Sequence, residues 1–201
     1  MNETFGRELL IQFCNLLYDR NLTVSAGGNM SIMIGDSEIL MTPSGRNKGL
    51  LNPEDLVLIG TDGSVISGGK PSIESAMHLA LYNLNNDTKA VVHCHPLYCT
   101  SIAVKGKRLK TEMTPEGVLL LGKVPMIPYY TPGSEELADA VAAHHESKAM
   151  LMARHGALTQ GKTIEEAFNR MEELEFQAKL QTVSGRTSCL PPWEIEKLSR
   201  M

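Results

Sequence analysis

The 201-residue chain predicts a three-layer α/β fold around a mixed, partly antiparallel sheet, as one domain spanning residues 1–201. Three observations predict it. Segments with helical apolar spacing alternate with short apolar runs of strand length. An Asp62-Gly63 turn joins two of those runs as a hairpin. No internal repeat, low-complexity tract or Pro/Gly/Ser-rich linker divides the chain.

Taken in order, Phe5, Leu9, Leu10, Phe13, Leu16 and Leu17 recur at helical spacing, so an amphipathic helix covers residues 5–18. Short strands follow at "MSIMIG" (30–35), "EILMTP" (38–43) and "LVLIG" (56–60), the last turning through Asp62-Gly63 into "SVISG". A second helix follows "GGKP", with Ser72 as N-cap and Ile73, Met77, Ala80, Leu81 and Leu84 as its buried stripe. "KAVVHCH" reads as a strand and "LYCTSIAV" as a short helix or turn. The prolines of "KVPMIPYY" place that extended segment at an edge or in a loop. Ser134 caps a helix over "SEELADAVAAHH", and "KAMLMARHGALTQG" reads as a hairpin or bent strand. The last long helix opens with a capping box from Thr163 to Glu166 and buries Ile164, Phe168, Met171, Leu174 and Ala178.

Composition narrows the function. A hydrophobic share of 42% and a charged share of 21% suit a soluble globular protein. A formal net charge of -4, with no Lys/Arg block, argues against nucleic acid or an anionic membrane as partner. The start "MNETFGRELL" lacks the regions of a signal peptide, and no apolar run approaches the ~18 residues of a membrane span. Cys14, Cys94, Cys99 and Cys189 form no Cys-x-x-Cys pair, so reduced thiols in a cytoplasmic protein are expected.

The chemistry concentrates in "VVHCH". In a strand, residues i and i+2 point to one face about 6.5–7 Å apart, so His93 and His95 can grip one ion while Cys94 faces the core. His-x-His alone is a weak signal and needs a third ligand. His155 is a candidate, because it ends the apolar run "AMLMAR" just before Gly156 turns the chain and presents the imidazole at a strand end. His144 and His145 read as a half-exposed helical pair. His78, one turn after Glu74, fits either a ligand or a hydrogen-bonding role. Three neutral imidazoles with an exchangeable fourth position are the pattern of catalytic zinc. Glu74, in a helix first turn that favours its ionised form, is the candidate carboxylate. Two loops suit an anion: "SAGGNMS", with the Gly27 and Gly28 amides and Asn29, and "TPSGRN", with the Ser44 hydroxyl and Gly45 amide.

In order and spacing, "GGNMS", "TPSG", "KPSIE", "VVHCH" and "RHG" resemble the class II aldolase/adducin family, over about residues 7–180. Within it the chain resembles the sugar-phosphate aldolases of the L-fuculose-1-phosphate type, or a close sugar-phosphate relative. The resemblance implies an α/β/α sandwich with a largely antiparallel sheet, and a homotetramer with active sites between subunits. It implies one zinc, or another divalent metal, per subunit, on Glu74, His93, His95 and His155. It also implies a phosphate held by Gly28, Asn29, Ser44, Gly45 and Ser72. Those aldolases read Ser-Ser-Glu where this chain has Ser72-Ile73-Glu74. They carry a tyrosine in the segment matching "TEMTPEG", where this chain has Glu112, Thr114 and Glu116. In related methylthioribulose-1-phosphate dehydratases a glutamate acts there, which gives Glu116, or else Glu112, the second acid/base role.

The implied reaction cleaves a ketose 1-phosphate to dihydroxyacetone phosphate and an aldehyde, with Glu74 as the proton donor to carbon. Pentulose-phosphate 4-epimerases, the dehydratases and oxo-tetronate-phosphate decarboxylases use related chemistry and are the alternatives. Adducin-like interaction modules of the family lack the metal ligands, all four of which this chain has.

Overall fold

In the computed structural model, which describes residues 1–185 and 188–201, eight strands form one sheet. They are β1 (Asn29–Met33), β2 (Glu38–Met41), β3 (Val57–Gly60), β4 (Val65–Ser67), β5 (Ala90–Cys94), β6 (Met126–Ile127), β7 (Ala149–Met152) and β8 (Gly156–Gly161). Their order is β4-β3-β2-β1-β5-β8-β7-β6. Every pairing is antiparallel except β6 with β7, so the sheet is mixed as expected. The two-residue β6 lies at the sheet edge between Pro125 and Pro128, where a missing N–H costs no ladder bond.

Helices α1 (Glu3–Asp19), α3 (Leu97–Lys105) and α5 (Ile164–Val183) cover one face, and α2 (Ser75–Leu84) and α4 (Glu135–Ala142) the other. The alternation of β5 shows the division. Ala90, Val92 and Cys94 pack with Leu10, Phe13, Ile102 and Phe168, whereas Val91 packs with Met77, Leu81 and Leu137. A further helix, α6 (Pro192–Ser199), and a π-helical turn over Gly117–Leu121 carry no signal that the sequence reading used. Among the described residues no helix is long and apolar enough to cross a membrane.

Some details differ from expectation. Phe5 is exposed, and α1 buries Gly6, Leu10, Phe13, Cys14 and Leu17 instead. Ser72 is not the N-cap of α2; Glu74 is, and Ser72 Oγ accepts the Glu74 N–H at 3.2 Å. Ile73 precedes the helix and is exposed, as is Leu84, so the buried stripe is Met77, His78, Leu81 and Tyr82. Two polar residues occupy that stripe, which is why apolar periodicity misplaced it. Helix α4 ends at Ala142, capped by Ser134 as expected, and His144 and His145 lie in the turns beyond it. At α5, Thr163 Oγ accepts the Glu166 N–H, but the Glu166 carboxylate returns to the Lys162 N–H rather than to Thr163.

Candidate active site

Three adjacent central strands bring the site together. Antiparallel register sets Asn29, the first residue of β1, opposite His93 near the end of β5, and Cys94 opposite Ala157 at the start of β8. The start of β1, the end of β5 and the start of β8 therefore meet at one end of the sheet. His95 lies just past β5, and His155 sits in the turn between β7 and β8, where Arg154 takes a left-handed φ of 56°. Glu175 of α5 holds the chain beyond His95, its two oxygens accepting the N–H groups of Tyr98 and Cys99 at the start of α3.

The imidazole nitrogens of His93, His95 and His155 lie within 4.8 Å of one another. His93 Nε2 is 3.1 Å from His95 Nε2 and 3.3 Å from Glu74 Oε2, and His155 Nε2 is 3.2 Å from Glu74 Oε1. His93 Nδ1 donates to the Ala157 carbonyl at 2.9 Å, which leaves Nε2 as a bare lone pair when the ring is neutral. Burial, then the neighbouring His93 and His155, push His95 down to about 3; burial, then His93, push His155 down to about 4. Burial works against the Glu74 charge, but the hydrogen bond and charge of His93, then His155 and Asn29, outweigh it. They hold its carboxyl well below the usual range.

With the ring neutral, the His93 Nε2 lone pair faces the Glu74 carboxylate, and Glu74 Oε1 is buried there without a hydrogen-bond partner. Such an arrangement is self-repulsive unless positive charge sits among its members. Three nitrogens and one carboxylate oxygen are a donor set that suits a divalent metal with an exchangeable position. The residues present fit that group.

Beside this centre lies a cavity of about 380 Å³, into which Glu74, His95 and His155 face together with Gly28, Asn29, Ser44, Gly45 and Ser72. His93 is fully buried behind it. Gly28 has φ 71°, and a Cβ there would lie 2.6 Å from the His93 carbonyl oxygen, so only glycine brings this loop against β5. Both ends of the Asn29 amide are engaged: Nδ2 donates to Glu74 Oε2 at 2.8 Å, and Oδ1 faces His78 Nε2 at 2.6 Å. One amide hydrogen is left for a ligand. His78 is fully buried, and its two ring nitrogens face Asn29 Oδ1 and Ser31 Oγ.

Glu116 is exposed and Glu112 is paired with Arg108; neither lines the cavity formed by its own chain. Sequence reasoning missed Lys48. It lines the cavity while only 1% exposed, its Nζ donating to the Ala26 carbonyl at 3.0 Å and the Arg46 carbonyl at 2.7 Å. A lysine three residues after Gly45 carries no signal until the loops are folded.

Comparison with known proteins decides the family. Residues 8–182 match the Class II Aldolase and Adducin N-terminal domain. The chain belongs to the class II aldolase/adducin family. This class II aldolase relative is 39% identical over 173 residues to an L-fuculose phosphate aldolase of Methanococcus maripaludis, covering 86% of this chain and 94% of that one. It is 36% identical over 185 residues to a 3-oxo-tetronate 4-phosphate decarboxylase of Haemophilus influenzae, covering 90% and 88%. Its fold superposes on the crystal structure of Escherichia coli YgbL with a TM-score of 0.94 at 35% identity, covering 98% and 99%. With an L-fuculose 1-phosphate aldolase structure the TM-score is 0.92 at 31% identity, covering 100% and 97%. The family and its enzyme relatives fit a lyase.

Proposed function

We propose that the protein is a zinc-dependent aldolase that cleaves a ketose 1-phosphate of the L-fuculose 1-phosphate type to dihydroxyacetone phosphate and an aldehyde. The observation that carries this reading is the convergence of Glu74, His93, His95 and His155 beside two glycine-containing loops on one cavity. Zinc on those four residues would supply Lewis-acid polarisation of a substrate carbonyl.

The chain's own groups do the rest. The amides of Gly28 and Gly45 and the hydroxyls of Ser44 and Ser72 hold the phosphate, with the free amide hydrogen of Asn29 adding a contact. The C4 hydroxyl proton goes to Glu116, with Glu112 as the alternative. Because neither lines its own cavity, a neighbouring subunit presents it, which requires an oligomer; a homotetramer is the reading carried by the family resemblance. As the C3–C4 bond breaks, its electron pair stays on C3 and the aldehyde leaves. Glu74, protonated from solvent, delivers that proton to C3, and Glu116 releases the one it took back to solvent. One proton leaves oxygen and one reaches carbon, so none is consumed overall.

A second reading has its own support. Glu74 is the only carboxylate lining the cavity among the described residues, and decarboxylation of a 3-oxo acid phosphate needs no base for a hydroxyl proton. Carbon dioxide leaves, and Glu74, protonated from solvent, delivers that proton to the carbon left behind, so one proton is taken up per turnover. The similarity to the Haemophilus influenzae decarboxylase supports that alternative. A panel of ketose 1-phosphates and 3-oxo-tetronate 4-phosphates, with products identified by mass spectrometry, separates the two. Dihydroxyacetone phosphate plus an aldehyde supports the aldolase; carbon dioxide release overturns it in favour of the decarboxylase.

A further inference from the structure

Behind the metal ligands runs a buried chain of polar side chains. Glu74, His78 and Tyr82 recur every four residues from the cap of α2 onward, so they align on its sheet-facing side. Asn29 and Ser31, two apart on β1, present the same face of the sheet. The two sets interleave as Glu74, Asn29, His78, Ser31, Tyr82, with successive contacts of 2.8, 2.6, 2.7 and 2.7 Å. Ser31 and His78 are fully buried, and Asn29 and Tyr82 nearly so.

The polarity of this chain follows from one end. A carboxylate only accepts, so the Asn29 group facing Glu74 is Nδ2, and the group facing His78 is Oδ1. Oδ1 only accepts, so His78 Nε2 carries a hydrogen. In the neutral ring Nδ1 is then an acceptor, and Ser31 Oγ donates to it. The Ser31 oxygen in turn accepts from the Tyr82 hydroxyl. Every donor points toward Glu74.

We propose that His78, held in its Nε2–H tautomer by Ser31 and Tyr82, is a positioning residue that locks the Asn29 amide and so fixes the Glu74 carboxylate for metal binding. The proposal rests on the reading of Glu74 as a ligand. His78 acts through Asn29 alone: it orients the partner of the ligand and touches neither metal nor substrate. If its ring presented a lone pair to Asn29, the amide would turn and set its oxygen against the Glu74 carboxylate.

The test uses the full chain, stripped with chelator and titrated with Zn²⁺ against a chromophoric competitor. His78→Phe removes the donor and should weaken zinc binding about 10–100-fold, the usual cost of losing an outer partner of a ligand. Glutamine places an N–H near the position of Nε2, whereas asparagine reaches only the Nδ1 position. His78→Gln should therefore stay within roughly threefold of wild type and His78→Asn should behave like His78→Phe. A merely structural role would not separate glutamine from asparagine in that way. Should His78→Phe fail to fold, Ser31→Ala and Tyr82→Phe keep the chain testable. Imidazole ¹⁵N shifts should show His78 as the Nε2–H tautomer in wild type, and a mixture of tautomers in Ser31→Ala. Unchanged zinc affinity in His78→Phe, or an Nδ1–H tautomer in wild type, would overturn the proposal. Wild-type protein that binds no stoichiometric zinc would instead overturn the reading of the metal site.

Discussion

A methyl group at Gly156 would lie 2.5 Å from Cδ2 of His95 and 2.6 Å from the Cys94 carbonyl oxygen. The first residue of β8 is therefore the wall against which the His95 ring rests. Gly156→Ala must push that ring, or β8 itself, away from the imidazole cluster. Zinc affinity should fall on the order of tenfold or more, as for loss of a group that orients a ligand. Chelator competition measures this, and native affinity in the variant would refute the tight packing inferred for His95.

Lys48 joins the two candidate phosphate loops by donating to a carbonyl of each. Burial lowers its pKa, and the nearby Cys14 and Glu74 act in the opposite direction. Lys48→Met keeps the length of the chain but removes the charge and both bonds. KM for a phosphorylated substrate should rise by about tenfold, with a smaller change in kcat, the pattern expected when ground-state binding is lost. A fall in kcat at unchanged KM would place Lys48 in the chemistry instead.

Acid should destabilise chelator-stripped protein through its imidazoles. Burial first, then His93, pushes His78 down to about 3 from 6.5, and His95 and His155 fall to about 3 and 4. Between those values and 6.5 the unfolded chain binds more protons than the folded one, so stability rises with pH across that window. It is complete above pH 6.5 and is lost as pH falls toward 4. His78, fully buried, should contribute a slope of up to about 1.4 kcal/mol per pH unit, and the less completely buried His95 and His155 less. Urea unfolding between pH 4 and 7 measures the slope. A flat profile would mean that these rings are already protonated in the folded state.

Glu74→Gln keeps size and one oxygen while removing charge and proton. With three imidazoles remaining, the variant should retain much of its zinc, yet lose about 10²–10⁴-fold in kcat, the worth of a positioned acid/base. Solvent deuterium exchange at C3 of dihydroxyacetone phosphate should fall in parallel. Normal exchange with lost cleavage would move the proton transfer to another residue, Glu116 first.

Much of this site was legible in the chain because strand periodicity is short. His93 and His95 share a face across Cys94, and Gly156 marks the turn that presents His155, so local rules reach the imidazole cluster. What those rules miss depends on contacts between distant segments. Lys48 matters only once the loops at Ala26 and Arg46 are folded together. His78 and Tyr82 break the apolar stripe of α2 because their partners lie on β1, and no spacing within one helix reveals that. The position of Glu116 is likewise not set by its own chain's cavity.

On the proposed reading, Glu74, His93, His95 and His155 form one metal-dependent centre that cleaves a carbon–carbon bond. Zinc is titrated into chelator-stripped protein while release of dihydroxyacetone phosphate from a ketose 1-phosphate is followed. Activity should be absent at the start, rise linearly with added zinc, and break at one equivalent per chain. Full cleavage in the presence of chelator, before any metal is added, would contradict it.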